Sequence, residues 1–203
     1  MFVIVACEYS NIVATAFRSA GHFVLSVDII PNDVSQKFHV QADILEVLKC
    51  VTPDLLIAHP PCTYLCKAQM FRYYSESGRL SQAVSAALFV DELFFSAAPL
   101  VAIENPSGFL NWHWRSPDQI IYPWRFGDGY SKDVCLWLKN LPPLIDTCVS
   151  TGRRPVSNHV NSKMSQALKS KIKSRFFPGI AAAMASQWSL SYCYFPGHSY
   201  NLT

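Results

Sequence analysis

The chain has 203 residues, of which half are apolar and 15% are charged, so it is long enough for one folded domain with its own core and too apolar to be disordered. No apolar run approaches the roughly 18 residues that span a bilayer, and the N-terminal run is too short for the core of a signal peptide. Seven cysteines, an odd number without framework spacing, favour free thiols in a reducing compartment. We therefore expect a single cytoplasmic domain over residues 1–203, with no membrane contact.

The net charge of +3 is unevenly distributed. Residues 1–146 hold ten basic and all fourteen acidic residues, whereas residues 147–203 hold seven basic residues and no acidic one. The basic segment 147–175 suits contact with a phosphate backbone, although a solvated loop has the same composition. Residues 192–203 are expected to form a loose tail. The candidate phosphate contacts are Arg153, Arg154, Lys169, Lys171, Lys173 and Arg175.

The first elements alternate between strand and helix patterns. Residues 2–6 predict a strand, and residues 12–20 predict a helix that ends at Gly21. Residues 23–27 predict the next strand, with Asp28 at its tip. This strand–loop–helix–strand order is typical of nucleotide-binding βαβ units, in which an acid at that tip can bind ribose hydroxyls.

A cysteine follows the next buried strand. Residues 40–44 predict a short edge strand that carries Asp43, and a helix follows it. Residues 54–58 predict a buried strand that stops at a proline pair, since proline cannot donate to a ladder. Cys62 comes directly after the prolines, at the strand end where ligands bind in open α/β sheets. A thiol on a rigid turn there is placed like a nucleophile, although a buried structural cysteine is an equally good interpretation.

The pattern of functional side chains at strand ends then repeats. Residues 81–95 predict an apolar helix, and residues 100–103 predict a buried strand that ends at Glu104. Because the carboxyl ends of parallel strands meet at one edge of a sheet, we expect the acids and the thiol to lie together. The four strand-end side chains are those of Asp28, Asp43, Cys62 and Glu104.

The remaining segments carry weaker signals. Residues 70–78 predict an exposed loop. The aromatic stretch after Gly108 fits a satellite core beneath a long loop better than a base-stacking platform. Residues 134–138 predict a further strand, and residues 179–188 predict an apolar helix.

A metal site is the alternative use of the cysteine loop. His59, Cys62 and Cys66 have the spacing of half a zinc site. A second close pair of ligands is missing from the sequence, so we expect no metal.

The order of these sites resembles that of the cytosine-5 DNA methyltransferases, which use S-adenosylmethionine. Pro60-Pro61-Cys62 resembles their Pro-Pro-Cys loop, whose cysteine attacks the base, and Glu104-Asn105-Pro106 resembles the motif whose glutamate holds a ring nitrogen of the base. The resemblance implies catalytic roles for Cys62 and Glu104. It also implies an α/β fold of the Rossmann-like class I methyltransferase type, with a mostly parallel sheet flanked by helices.

The same resemblance implies a site for S-adenosylmethionine and a site for DNA. Residues 6–11 stand where the family has its cofactor loop, and residues 177–181 resemble the closing motif of the cofactor pocket. Asn105 and Lys132 are implied to contact the substrate, together with the basic residues named above. The implied cofactor contacts are Cys7, Glu8, Tyr9, Ser10, Asp28, Ile29, Asp43, Ile44 and Pro60.

The chain most resembles a compact, often phage-encoded branch of that family. Three segments carry this resemblance, namely the Cys-Glu-Tyr-Ser loop, the Pro-Pro-Cys-Thr loop and the run from Trp137 to Leu144. The chain departs from the family in three places. The cofactor loop has no glycine, His59 stands where a small residue is usual, and Lys132 replaces an arginine-rich motif. About 40 residues separate Trp137 from Phe177, too few for a separate target-recognition domain.

The expected reaction is therefore methyl transfer to carbon 5 of cytosine in DNA through a covalent cysteine adduct. Two alternatives stay open. The same chemistry could act on a pyrimidine nucleotide or on RNA, since target recognition has no domain of its own. A non-catalytic protein that binds cofactor or nucleic acid on a decayed scaffold would explain the glycine-free loop.

Overall fold

The computed structural model describes residues 1–32, 37–152, 165 and 175–193. Within these ranges the helices are α1 (Ile12–Ser19), α2 (Ile44–Cys50), α3 (Arg79–Phe94), α4 (Phe109–His113) and α5 (Pro178–Cys193). The strands are β1 (Phe2–Ala6), β2 (Phe23–Asp28), β3 (His39–Gln41), β4 (Leu55–Ala58), β5 (Leu100–Asn105), β6 (Gln119–Ile121) and β7 (Val134–Lys139).

All seven strands form one sheet in the order β3-β2-β1-β4-β5-β7-β6. The first five are parallel to one another, and β7 runs antiparallel to both β5 and β6. The predicted α/β class with a mostly parallel sheet is therefore confirmed. This strand order, with one antiparallel strand inserted beside β5, defines a Rossmann-like class I methyltransferase fold.

Helices cover both faces of the sheet. Val3 and Val5 point into a core shared with α1 and α5, and Ile4 points into a second core shared with α3. Strands buried on both faces read as continuous apolar runs, which is why β1, β4 and β5 were recognisable in the sequence. Among the described residues, no helix is long and apolar enough to cross a bilayer.

The predicted strand over residues 40–44 is wrong in its second half. Strand β3 ends at Gln41, and Asp43 is the N-cap of α2, where its carboxylate accepts a hydrogen bond from the Leu45 N–H at 2.9 Å. Aspartate is favoured at this position because its oxygen pairs a backbone N–H that the helix leaves open. Ile44 is accordingly the first residue of a helix and not the last residue of a strand.

The predicted exposed loop over residues 70–78 is also partly wrong. It begins inside a 3₁₀ helix (Lys67–Arg72), and Tyr73 is buried with its hydroxyl donating to the Tyr64 carbonyl at 2.6 Å. A run of polar and aromatic residues conceals such a turn, because a single buried ring leaves no periodicity.

The aromatic stretch contributes to the core at two points. Trp114 packs against Phe94 and Trp137, and its indole N–H donates to Asp91 at 2.8 Å. Phe126 is almost completely buried. These contacts support the interpretation of a satellite core, although the same stretch also forms β6, which the sequence did not predict.

Glu8 holds the start of α1 from within the first loop. Its buried carboxylate accepts hydrogen bonds from the backbone N–H groups of Val13 at 2.7 Å and Ala14 at 3.1 Å. Asn11, at the N-cap, makes no side-chain capping bond. Glu8 therefore takes the place of the usual cap, and its negative charge also suits the positive end of the helix dipole.

We expect Glu8→Ala to lower the free energy of unfolding by about 2 kcal/mol, because two buried N–H groups lose a charged acceptor. Urea denaturation at pH 7 measures the change. The control is Glu92→Ala on the exposed face of α3, which should leave stability nearly unchanged. Equal stabilities for the two variants would contradict the capping role.

Candidate active site

The parallel register of β4 on β5 sets the geometry of the site. The last pair along the two strands is Ala58 with Ile103, so His59 and Glu104 come next on adjacent strands. The buried Asn105 amide donates to the Pro60 carbonyl at 2.8 Å. This bond ties the proline turn to the end of β5.

The loop that carries Cys62 is held by backbone contacts. The Cys62 carbonyl accepts hydrogen bonds from the N–H groups of Leu65 and Cys66 at 3.0 and 3.1 Å. The Phe109 N–H donates to the Leu65 carbonyl at 2.7 Å. A Cβ added at Gly108 would lie 1.9 Å from the Leu65 oxygen, so only glycine permits this close approach. The cysteine loop is thus fixed against the segment after β5.

A cleft of about 540 Å³ opens at the carboxyl ends of the parallel strands. All four strand-end side chains named from the sequence line it. The position is the one at which open α/β sheets bind ligands. The predicted site residues in its lining are Cys7, Tyr9, Asp28, Ile29, Asp43, Ile44, Pro60, Cys62, Glu104, Asn105, Lys132 and Arg175.

Two predicted cofactor contacts do not line the cleft. The Glu8 carboxylate is committed to α1, and the Ser10 hydroxyl donates back to that carboxylate at 3.3 Å. The first loop turns these two side chains toward the helix, and their contact with a cofactor stays a prediction. The other predicted basic contacts lie outside the described residues, namely Arg153, Arg154, Lys169, Lys171 and Lys173.

Several lining residues were not predicted as site residues. His59 was noted only as a departure from a family pattern, and Phe89 was hidden in the apolar helix α3. Thr63 follows the cysteine directly, and its place in the Pro-Pro-Cys-Thr run was the available signal. No group of three or more metal-ligating side chains occurs in the described part of the chain.

The glycine-free first loop makes its turns with other residues. Cys7 and Asn11 both adopt the left-handed backbone region, with φ of 57° and 60°. The Cys7 N–H donates to the Val27 carbonyl at 2.7 Å, which continues the pairing of β1 with β2. Burial, aided by the charges of Asp28 and Asp43, raises the pKa of the Cys7 thiol to about 12. Cys7 is therefore a neutral thiol at physiological pH.

Cys62 lines the same cleft in a different electrostatic setting. Partial burial raises the pKa of its thiol, and the positive charge of Lys132 works in the opposite direction. The Cys66 thiol and the Glu104 carboxylate raise it further. Among the described charged groups that act on Cys62, Lys132 favours the thiolate, the form in which cysteine reacts as a nucleophile.

The contacts of Glu104 favour the charged form of its carboxyl. Burial alone would raise the pKa of its carboxyl, but the hydrogen bond with His59 and the charge of Lys132 hold that pKa below its ordinary value. The His59 Nδ1 lies 3.3 Å from the Glu104 Oε2. The structure therefore shows a buried carboxylate that is stabilised by one ring nitrogen and one nearby cation.

Comparison with known proteins finds similarity to solved structures but not to sequences. No family model and no curated protein sequence matches the chain. The crystal structure of the Dnmt2 methyltransferase from S. pombe is similar at 15% sequence identity, with a TM-score of 0.46. The match covers 83% of this chain and 63% of that one, so the chain corresponds to less than two thirds of the neighbour's length.

We expect Lys132→Met to raise the pKa of the Cys62 thiol, because it removes the cation that opposes burial. Alkylation of Cys62 by iodoacetamide, followed against pH by peptide mass spectrometry, should shift to higher pH and slow by about threefold or more at pH 7. Lys49→Met, on the exposed side of α2, is the control. An unchanged alkylation profile for Lys132→Met would show that Lys132 does not act on the sulfur.

Proposed function

We propose that this chain is an S-adenosylmethionine-dependent methyltransferase that methylates carbon 5 of cytosine in DNA through a covalent adduct with Cys62. The observation that carries the proposal is the presence of Cys62 and Glu104 in one cleft with Asp28 and Asp43. The methyltransferase-type sheet supports it, since that fold offers a ligand site at this edge.

The residues of the cleft suit the proposed cofactor. Asp28 and Asp43 offer carboxylates for hydroxyl and amino donors, and Ile29 and Ile44 offer apolar walls for a flat ring. Asp43 has one oxygen engaged by a backbone N–H, and its other oxygen makes no hydrogen bond within the described ranges. When bound, the cofactor supplies a methyl group that is activated by a sulfonium.

The cysteine solves the main difficulty of the reaction. Carbon 5 of cytosine is a poor nucleophile while the ring is aromatic. Addition of the Cys62 sulfur to carbon 6 would break the aromaticity and make carbon 5 enamine-like. Chemistry at an exocyclic amino group needs no such thiol, so a cysteine directly after the prolines favours methylation at carbon.

Glu104 and Asn105 line the same cleft as Cys62. A carboxyl beside the ring can exchange a proton with ring nitrogen 3 as the sulfur adds, which general acid catalysis makes about 10²- to 10⁴-fold faster. The Asn105 side chain is committed to the Pro60 carbonyl, so its role in this proposal is to hold the cysteine loop.

The proposal that DNA is the substrate rests on the positive charge of residues in and near the cleft. Lys132 and Arg175 line the cleft, and the basic segment continues through residues outside the described ranges. A target base must leave the duplex to enter such a cleft, at a cost of a few kcal/mol. Contacts between these cations and phosphates would offset that cost.

We expect Cys62→Ala to abolish 5-methylcytosine formation, measured by mass spectrometry of nucleosides from the DNA of cells that express the chain. Cys148→Ala is the matched control, since that exposed thiol does not line the cleft. Methylation that persists in Cys62→Ala would contradict the covalent mechanism.

A panel of acceptors separates the proposed substrate from its alternatives. The short stretch between Trp137 and Phe177 favours a test of RNA and of free dCMP beside duplex and single-stranded DNA. Methyl incorporation into dCMP or RNA alone would keep the chemistry and change the substrate. Calorimetry with S-adenosylmethionine tests the non-catalytic alternative, which gains support if the cofactor binds and no acceptor is methylated.

A further inference from the structure

His59 is a cleft residue that the proposed reaction does not yet use. Its backbone is fixed, because the His59 N–H donates to the Ala6 carbonyl at 3.0 Å and so continues the pairing of β4 with β1. Its ring is fixed as well, since it packs against the ring of Phe176 with centroids 4.6 Å apart. The side chain is only 10% exposed. His59 is therefore a rigid anchor at the end of β4.

Glu104 is fixed at its backbone but not along its side chain. It lies within β5, where it pairs with Leu136 of β7. Its side chain has three rotatable bonds, and the last of these, which turns the plane of the carboxyl, has only a broad preference. The His59 Nδ1, 3.3 Å from the Glu104 Oε2, is the hydrogen-bond partner that the described ranges provide for this carboxyl. The orientation of the carboxyl therefore depends on His59.

This dependence does not require a particular protonation state. Either the ring nitrogen or the carboxyl can donate the hydrogen, and the two atoms are joined in both cases. The bond engages Oε2 and leaves Oε1 for a ligand in the cleft, which both residues line. The position of the carboxyl thus follows from the distance and the packing alone.

We propose that His59 is a positioning residue, which holds the Glu104 carboxyl in the orientation that presents its other oxygen to the ring of the target pyrimidine. This inference rests on the proposed function and extends it to a residue that acts through Glu104. A hydrogen bond weakens steeply when its angle departs from linearity, so only a narrow range of carboxyl orientations suits the edge of a bound base. A carboxyl without its anchor would lie outside that range in most of the bound complexes.

The two contacts of the His59 ring can be separated by substitution. His59→Phe keeps a flat ring beside Phe176 and removes the hydrogen bond to Glu104. His59→Asn removes the ring and keeps a nitrogen donor on Cγ, the atom that carries Nδ1 in histidine. Comparison of the two variants therefore assigns any effect either to the hydrogen bond or to the packing.

The test is single-turnover methyl transfer between pH 5.5 and 8.5, with the acceptor that the wild type methylates. We expect His59→Phe to slow the transfer about 10- to 100-fold across this range, because fewer bound complexes have an aligned carboxyl. His59→Asn should stay within about threefold of the wild type, since it keeps the donor. The affinities for S-adenosylmethionine and for the acceptor should be unchanged in both variants, because neither removes a proposed contact with these ligands.

The control is His113→Asn, which changes an exposed histidine outside the cleft lining and should leave the rate unchanged. Thermal unfolding confirms that each variant is folded. If His59→Phe does not fold, His59→Ala takes its place, because it leaves room for water beside Glu104. The same loss of rate is expected for it.

The possible failures are distinguishable. A rate within about threefold of the wild type in the variant without the hydrogen bond overturns the positioning role alone. Equal losses in His59→Phe and His59→Asn also overturn it, because the ring then acts only through its packing. A loss that disappears at one end of the pH range overturns it too, since His59 then acts only on the ionisation of Glu104. If the folded wild type methylates no acceptor in the panel, the proposed function fails and the positioning role fails with it.

Discussion

The parallel pairing of β4 with β5 is the constraint on which the site depends. Because Ala58 pairs with Ile103, the next residues along the two strands are His59 and Glu104, and their side chains meet at hydrogen-bond distance. A slip of one residue would turn either side chain to the other face of the sheet. The hydrogen bond from Asn105 to Pro60 and the close approach at Gly108 then fix the cysteine loop relative to these strand ends.

The surroundings of the cleft shift the pKa values of Cys62 and Glu104 in opposite directions. Burial raises the pKa of the Cys62 thiol, whereas His59 and Lys132 hold the pKa of Glu104 below its ordinary value. Burial thus favours the neutral thiol of Cys62, whereas His59 and Lys132 favour the charged carboxylate of Glu104. The proposed reaction needs a thiolate on Cys62, which the charge of Lys132 favours.

The sequence predicted the parts of this molecule that depend on local patterns. Continuous apolar runs revealed β1, β4 and β5, and the residues that follow these runs supplied half of the cleft lining. It did not predict contacts that form only through folding. Glu8 was interpreted as a cofactor contact because nothing local shows that its carboxylate turns back to α1. His59 was noted only as a departure from a family pattern, because its partner Glu104, 45 residues away in the chain, could not be identified.

The central claim is that the Cys62 sulfur forms a bond with carbon 6 of a cytosine ring. The most direct measurement uses a DNA duplex with 5-fluorocytosine, since fluorine at carbon 5 prevents the proton loss that releases the enzyme. After incubation with S-adenosylmethionine and denaturation, mass spectrometry should find the methylated base joined to the peptide that contains Cys62. An adduct on a different cysteine, or no adduct while ordinary cytosine is methylated, would contradict the account.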